Sequence, residues 1–112
     1  MIFLSEENEL AFSQGIVSLY FYASWVPFHK RMMTLIGKIE EKHPEVKFYA
    51  IDVDHFKGLC KRFDVTSVPQ IVTFVDNTET KRIEGLVLTS ALKSAYADIC
   101  NVAQGDKNGK ED

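Results

Sequence analysis

The sequence predicts an α/β domain in which a mixed, mostly parallel central sheet carries helices on both faces. Three observations predict it. Apolar residues fill both parities of two short runs, Ile16–Tyr22 and Val46–Ile51, which marks strands buried on both faces. Between them the period becomes helical, with Phe28, Met32, Leu35, Ile36 and Ile39 on one stripe. A third internal strand, Ile71–Val75, runs into Asp76-Asn77, which is hairpin-turn chemistry leading to a shorter strand near Thr80–Glu84. Strands alternating with helices need crossover connections and hence parallel pairing, and the closing hairpin adds an antiparallel pair.

Ile2–Leu4 reads as a short first strand. Ser5 is placed to cap a helix running to about Gln14, with Glu6, Glu7 and Glu9 at its positive end and Gly15 at the C′ position. Pro27 suits the first turn of the next helix, which His43-Pro44 ends. Asp54 is expected to cap the helix that carries Phe56, Leu59, Cys60 and Phe63. Gly85 breaks the last strand, and Thr89 or Ser90 caps a final helix with Leu92, Ala95, Tyr96 and Ile99 inward. Residues 1–102 therefore form one domain. The polar residues 103–112 have little to bury and are predicted to be a disordered tail or linker.

Composition narrows the function. Of 112 residues, 46% are apolar and 26% charged, as in an ordinary globular domain. The longest apolar run, Ile16–Ala23, is broken by Ser18 and is far shorter than the ~20 residues that span a bilayer, so no membrane partner is expected. A formal charge of −3 offers no basic face for nucleic acid. Cys60 and Cys100 are the only cysteines, with no C-x-x-C, and His29, His43 and His55 stand too far apart for a zinc motif. No metal or cofactor is expected from these spacings. The N-terminus has no basic region and no apolar stretch fit for a signal peptide. A cytoplasmic or nuclear location is the default, and any targeting segment beyond this chain stays unseen.

Specific residues then resemble the thioredoxin family across about residues 2–102. The strand Ile16–Ala23 runs into Ser24-Trp25, where that family has a strand, a tryptophan and its Cys-x-x-Cys. Phe63-Asp64-Val65-Thr66-Ser67-Val68-Pro69 is similar to the family's helix end and cis-proline, and Gly85 stands where the family has a glycine after its last strand. Trp25-Val26-Pro27 and the Ser67-Val68-Pro69 context most resemble the thioredoxin-like domain of multidomain monothiol glutaredoxins. The resemblance implies the thioredoxin fold, an association with cell redox homeostasis, and a cis bond before Pro69. It also exposes departures. The nucleophilic cysteine's position holds Val26 and the resolving cysteine's holds His29. The buried aspartate's position holds Tyr20, and that of its lysine partner holds Ala50.

These departures shape the functional expectation. The chain is read as not an enzyme, with no catalytic residues: a redox-inactive thioredoxin-like domain that binds a protein or extended peptide. The candidate surface is Trp25, Val26, Pro27 and Phe28 beside Val68 and Pro69, because an exposed apolar loop tends to mark an interaction site. Two alternatives stand beside it: a thiol oxidoreductase or glutathione-binding variant acting through Cys60 or Cys100, and a purely structural domain of a larger multidomain protein. His29, in a first helical turn, is expected to be structural. Cys60 is expected to be an inert buried thiol and Cys100 to be partly exposed, and the family resemblance implies that the two helices carrying them cover opposite faces of the sheet.

Overall fold

A strand that is apolar on both faces must be covered twice, and the chain does this by sending its helices to alternate sides. The computed structural model describes residues 1–12, 14–87 and 89–108. In order these form β1 (Ile2–Phe3), a 3₁₀ turn (Glu7–Glu9), β2 (Ile16–Tyr22), α1 (His29–Lys42), β3 (Val46–Asp52), α2 (Lys57–Arg62), β4 (Gln70–Val75), β5 (Thr78–Glu84) and α3 (Thr89–Asn108). The strands make one five-stranded sheet in the order β1-β3-β2-β4-β5. β1 and β2 pair with β3 in parallel, β2 with β4 and β4 with β5 antiparallel. Four strands thus point one way, and β4 alone runs against them.

Alternation along β2 sorts the core into two layers. Ile16 and Tyr20 face α1 and α3, packing with Met32, Ile36, Ile39, Leu92, Tyr96, Ile99 and Cys100. Val17, Leu19 and Phe21 face the other way, against Leu59 of α2 and the half-buried Leu10, Phe12, Phe56, Cys60 and Phe63. Ser18 is the polar exception among these core positions. Its hydroxyl lies 2.8 Å from those of Thr73 and Tyr96, so three fully buried hydroxyls satisfy one another and dock α3 onto the sheet.

Four local expectations are corrected. The helix expected over 5–14 shrinks to the 3₁₀ turn, and Ser13 lies outside the described residues. The Glu9 carboxylate folds back onto the Ser5 and Glu6 amides, each at 2.7 Å. Beyond it the chain extends so that Phe12 can pack edge-on against Phe74, while the Tyr49 hydroxyl bridges the N–H and carbonyl of Ala11. Tertiary docking outweighs helix propensity here. Gly15, with φ of 104°, instead serves the turn into β2. Its N–H donates to Asp76 Oδ1 (2.8 Å) and its carbonyl accepts from the Asp76 amide (2.9 Å).

Pro27 does not open α1, whose first residue is His29. Two tight turns, Val26 N–H to the Ala23 carbonyl and His29 N–H to the Val26 carbonyl, intervene. Asp54 does not cap α2 either. Asp52 does the gathering, accepting the Asp54 amide on Oδ1 (2.9 Å) and the His55 and Phe56 amides on its carbonyl. Finally, α3 continues to Asn108, so residues 103–108 are helical and not the start of a disordered tail, while 109–112 lie outside the described residues. Once a helix is nucleated, each added residue gains a hydrogen bond at little further cost.

Candidate functional site

The carboxyl ends of β2 and β3 deliver the candidate site. β2 ends at Tyr22, and residues 23–29 turn outward before α1 begins. Trp25 is left 67% exposed and Phe28 46% exposed, with Pro27 exposed and Val26 half-buried between them. The indole is nonetheless held: its Nε1 donates to Asp54 Oδ2 at 3.1 Å. Asp54 was expected to cap a helix; here it positions a tryptophan.

On the neighbouring loop the Val68–Pro69 peptide bond is cis, with Val68 half-buried and Pro69 buried. Two contacts hold this loop. The Gly85 N–H, at a φ of 76°, donates to the Pro69 carbonyl at 2.8 Å, which explains the glycine after β5. The Arg82 guanidinium donates to the carbonyls of Phe63 (2.8 Å) and Asp64 (3.3 Å) and to Gln70 Oε1 (2.9 Å), while pairing with Glu79.

A groove of about 670 Å³ opens beside Phe28, floored by Met32 and Leu35 and closed by Leu86 and Val87, with Arg31 and Lys93 on its lining. Of the residues expected to form the site, only Phe28 lines it. Leu86 and Val87 were not legible as site residues, although an apolar pair between a strand-breaking glycine and a helix start was the available signal. Leu86 is 52% exposed and, with Trp25 and Phe28, adds to the exposed apolar surface.

Beneath the loop, His29 lies flat on Tyr22, ring centroids 4.5 Å apart, and its Nδ1 is 3.0 Å from the Tyr20 hydroxyl. Burial holds the imidazole below its ordinary pKa, with Asp52 pulling weakly the other way, and pushes the Tyr20 phenol up to about 12. Tyr20 stands opposite Ala50 in the β2–β3 register.

The Thioredoxin family model matches residues 5–98. The chain belongs to the thioredoxin family. It is similar to Thioredoxin-1 of Saccharomyces cerevisiae, 28% identical over 93 residues that cover 83% of this chain and 89% of that one. Monothiol glutaredoxin-4 of the same organism is 29% identical, covering 83% of this chain and 41% of the relative. Among solved structures, oxidised mitochondrial thioredoxin 3 of Saccharomyces cerevisiae superposes with a TM-score of 0.69 at 28% identity, over 76% of this chain and 79% of its own. This thioredoxin-family chain therefore has the thioredoxin fold.

Two expectations change. The reading of the chain as not an enzyme is overturned by these relatives, because thioredoxins are thiol oxidoreductases. The two thiols also exchange roles: Cys100 is the buried one and Cys60 is half-buried. Burial pushes both above the ordinary thiol range, Cys100 to about 11 with the nearby Glu45 contributing. They do lie on opposite faces of the sheet. Sequence spacing offered no metal motif, yet in space the ligand atoms of His43, Glu45 and Cys100 all lie within 4.8 Å of one another.

Proposed function

We propose that this thioredoxin-family domain binds an extended polypeptide across Trp25, Val26, Pro27 and Phe28, with the backbone of Val68, held by the bond to Pro69, as its hydrogen-bonding edge. The observation that carries the reading is Trp25 itself: two-thirds exposed, yet pinned by Asp54. A large aromatic held in a fixed pose at the surface has little conformational entropy left to lose on binding, which favours it as an anchor. The groove under Phe28 supplies the second anchor position. Arg31 and Lys93 on its lining suit an apolar side chain flanked by carboxylates.

Trp25 is the single tryptophan, so its emission reports binding directly. Short peptides selected from a random displayed library on the immobilised domain are the probe. Bound peptide is expected to shift the emission and to move amide resonances around Trp25, Phe28 and Val68. Trp25→Ala is expected to weaken binding by roughly 2 kcal/mol or more, and Lys30→Ala far less. Shifts confined to the Gly15–Asp76 end of the sheet would defeat the reading.

Thiol oxidoreduction is the second reading, and the relatives favour it. Val26 and His29 occupy the positions where the family carries its cysteine pair, so any exchange in this chain falls to Cys60 or Cys100, as a disulfide reductase or a glutathione-binding variant. Dithiothreitol-dependent reduction of insulin, measured for wild type, Cys60→Ser and Cys100→Ser, decides it. Turnover above background that one serine variant removes establishes the thiol reading; background rates in all three remove it.

A further inference from the structure

At the end of the sheet opposite Trp25, three segments of chain converge. His43 ends α1, Glu45 stands immediately before β3, and Cys100 lies on the inner face of α3. Their nearness is built in. The His43 N–H donates to the Ile39 carbonyl (2.8 Å) and the His43 carbonyl accepts from Val46 (3.0 Å), closing a turn with Pro44 inside it. Proline fixes its own φ, so His43 and Glu45 are carried together on a stiff segment. Cys100 is 5% exposed, fixed by the core around it.

One imidazole nitrogen, one carboxylate oxygen and one thiol sulfur, all within 4.8 Å of one another, form a mixed donor set. Zinc takes these three ligand types, and bond lengths of 2.0–2.3 Å put tetrahedral ligand atoms about 3.5 Å apart. Closing from the observed spread needs only rotation of the exposed Glu45 and the half-buried His43 toward a stationary sulfur. A cavity of about 140 Å³ lined by Glu45 and Cys100 adjoins the group, roomy enough for a coordinated water at about 30 Å³ per molecule. A thiolate beside a carboxylate is unfavourable without a cation, and a dication turns the same arrangement into an attractive one.

We infer that His43, Glu45 and Cys100 form a zinc site with water as the fourth ligand. On binding, the Cys100 thiol proton passes to solvent and the thiolate takes its place on the metal. The ion ties the end of α1, the start of β3 and α3 together, remote from the peptide surface proposed above.

The test is a titration of the reduced full chain with cobalt(II), a spectroscopic stand-in for zinc. We expect one equivalent to bind with a sulfur-to-cobalt charge-transfer band that one equivalent of zinc bleaches. Cys60→Ser should keep the band and Cys100→Ser should lose it. His43→Gln and Glu45→Gln, changed at positions outside the core, should each weaken binding by at least the roughly 10–100-fold that loss of even an outer-shell partner costs. Should Cys100→Ser fail to fold, these two variants carry the test. No band in the wild type, a band that follows Cys60, or wild-type affinity in both glutamine variants would overturn the site.

Discussion

The phenol of Tyr20 and the imidazole of His29 are hydrogen-bonded, hydroxyl to Nδ1 at 3.0 Å. By the family resemblance these are the positions of the buried acid and the second cysteine. Here they hold two groups whose burial favours the neutral form of each. The pair is satisfied with the phenol donating to Nδ1 and the imidazole carrying its proton on Nε2. A neutral ring also suits the first residue of α1, where the helix dipole opposes a cation.

This pair makes stability depend on pH in a definite direction. His29 binds its proton more weakly folded than unfolded, so the unfolded state takes up the extra proton as pH falls. Stability from this group is therefore full above the unfolded value of 6.5, declines as pH drops through it, and levels off below the folded value. Thermal unfolding from pH 8 to 5 should show this decline, and His29→Gln should flatten it. Greater stability at pH 5 than at pH 8 that disappears in the same variant would show that the ring gains a proton on folding.

The Trp25–Asp54 hydrogen bond is expected to order the indole without stabilising the fold. Asp54→Ala should leave unfolding free energy within about 0.5 kcal/mol, as is usual for an exposed position. Trp25 emission anisotropy should fall, since the donor at Nε1 loses its protein partner. Unchanged anisotropy would mean that packing alone holds the ring.

Arg82 spans the Phe63–Asp64 segment, Gln70 and Glu79 with one planar fork. A lysine keeps the charge but cannot reach these acceptors together. Arg82→Lys should cost about 1–2 kcal/mol in denaturant unfolding and loosen the loop that leads to Pro69, weakening peptide binding with it. Wild-type stability in Arg82→Lys would reduce the fork to a surface ion pair.

Much of the fold was legible because periodicity is local. Apolar residues on both parities of Ile16–Tyr22 and Val46–Ile51 require two covered faces, and the helical stripe from Phe28 to Ile39 requires a partner layer, whatever the rest of the chain does. Asp76-Asn77 marks its hairpin because both residues hold positive φ, which asparagine and aspartate tolerate. The apolar, thiol-free loop at Trp25–Phe28 was equally plain, since it is a statement about which side chains are present.

What the sequence could not determine was decided by groups that meet only in space. The stretch 5–14 has helical capping chemistry, but packing Phe12 on Phe74 and bonding Ala11 to Tyr49 leave only the 3₁₀ turn Glu7–Glu9 helical among its described residues. Asp54 could cap a helix or hold an indole; the fold brings Trp25 within reach and the bond goes to the indole, while α2 begins at Lys57 with no side-chain cap. The groove beside Phe28 joins residues from α1 and the β5–α3 turn, and the His43–Glu45–Cys100 cluster joins the two ends of an α–β turn to a helix far along the chain. Pattern along a chain reports which face a residue must hide. Distance between residues remote in sequence is set by how layers stack, and only the packed structure contains it.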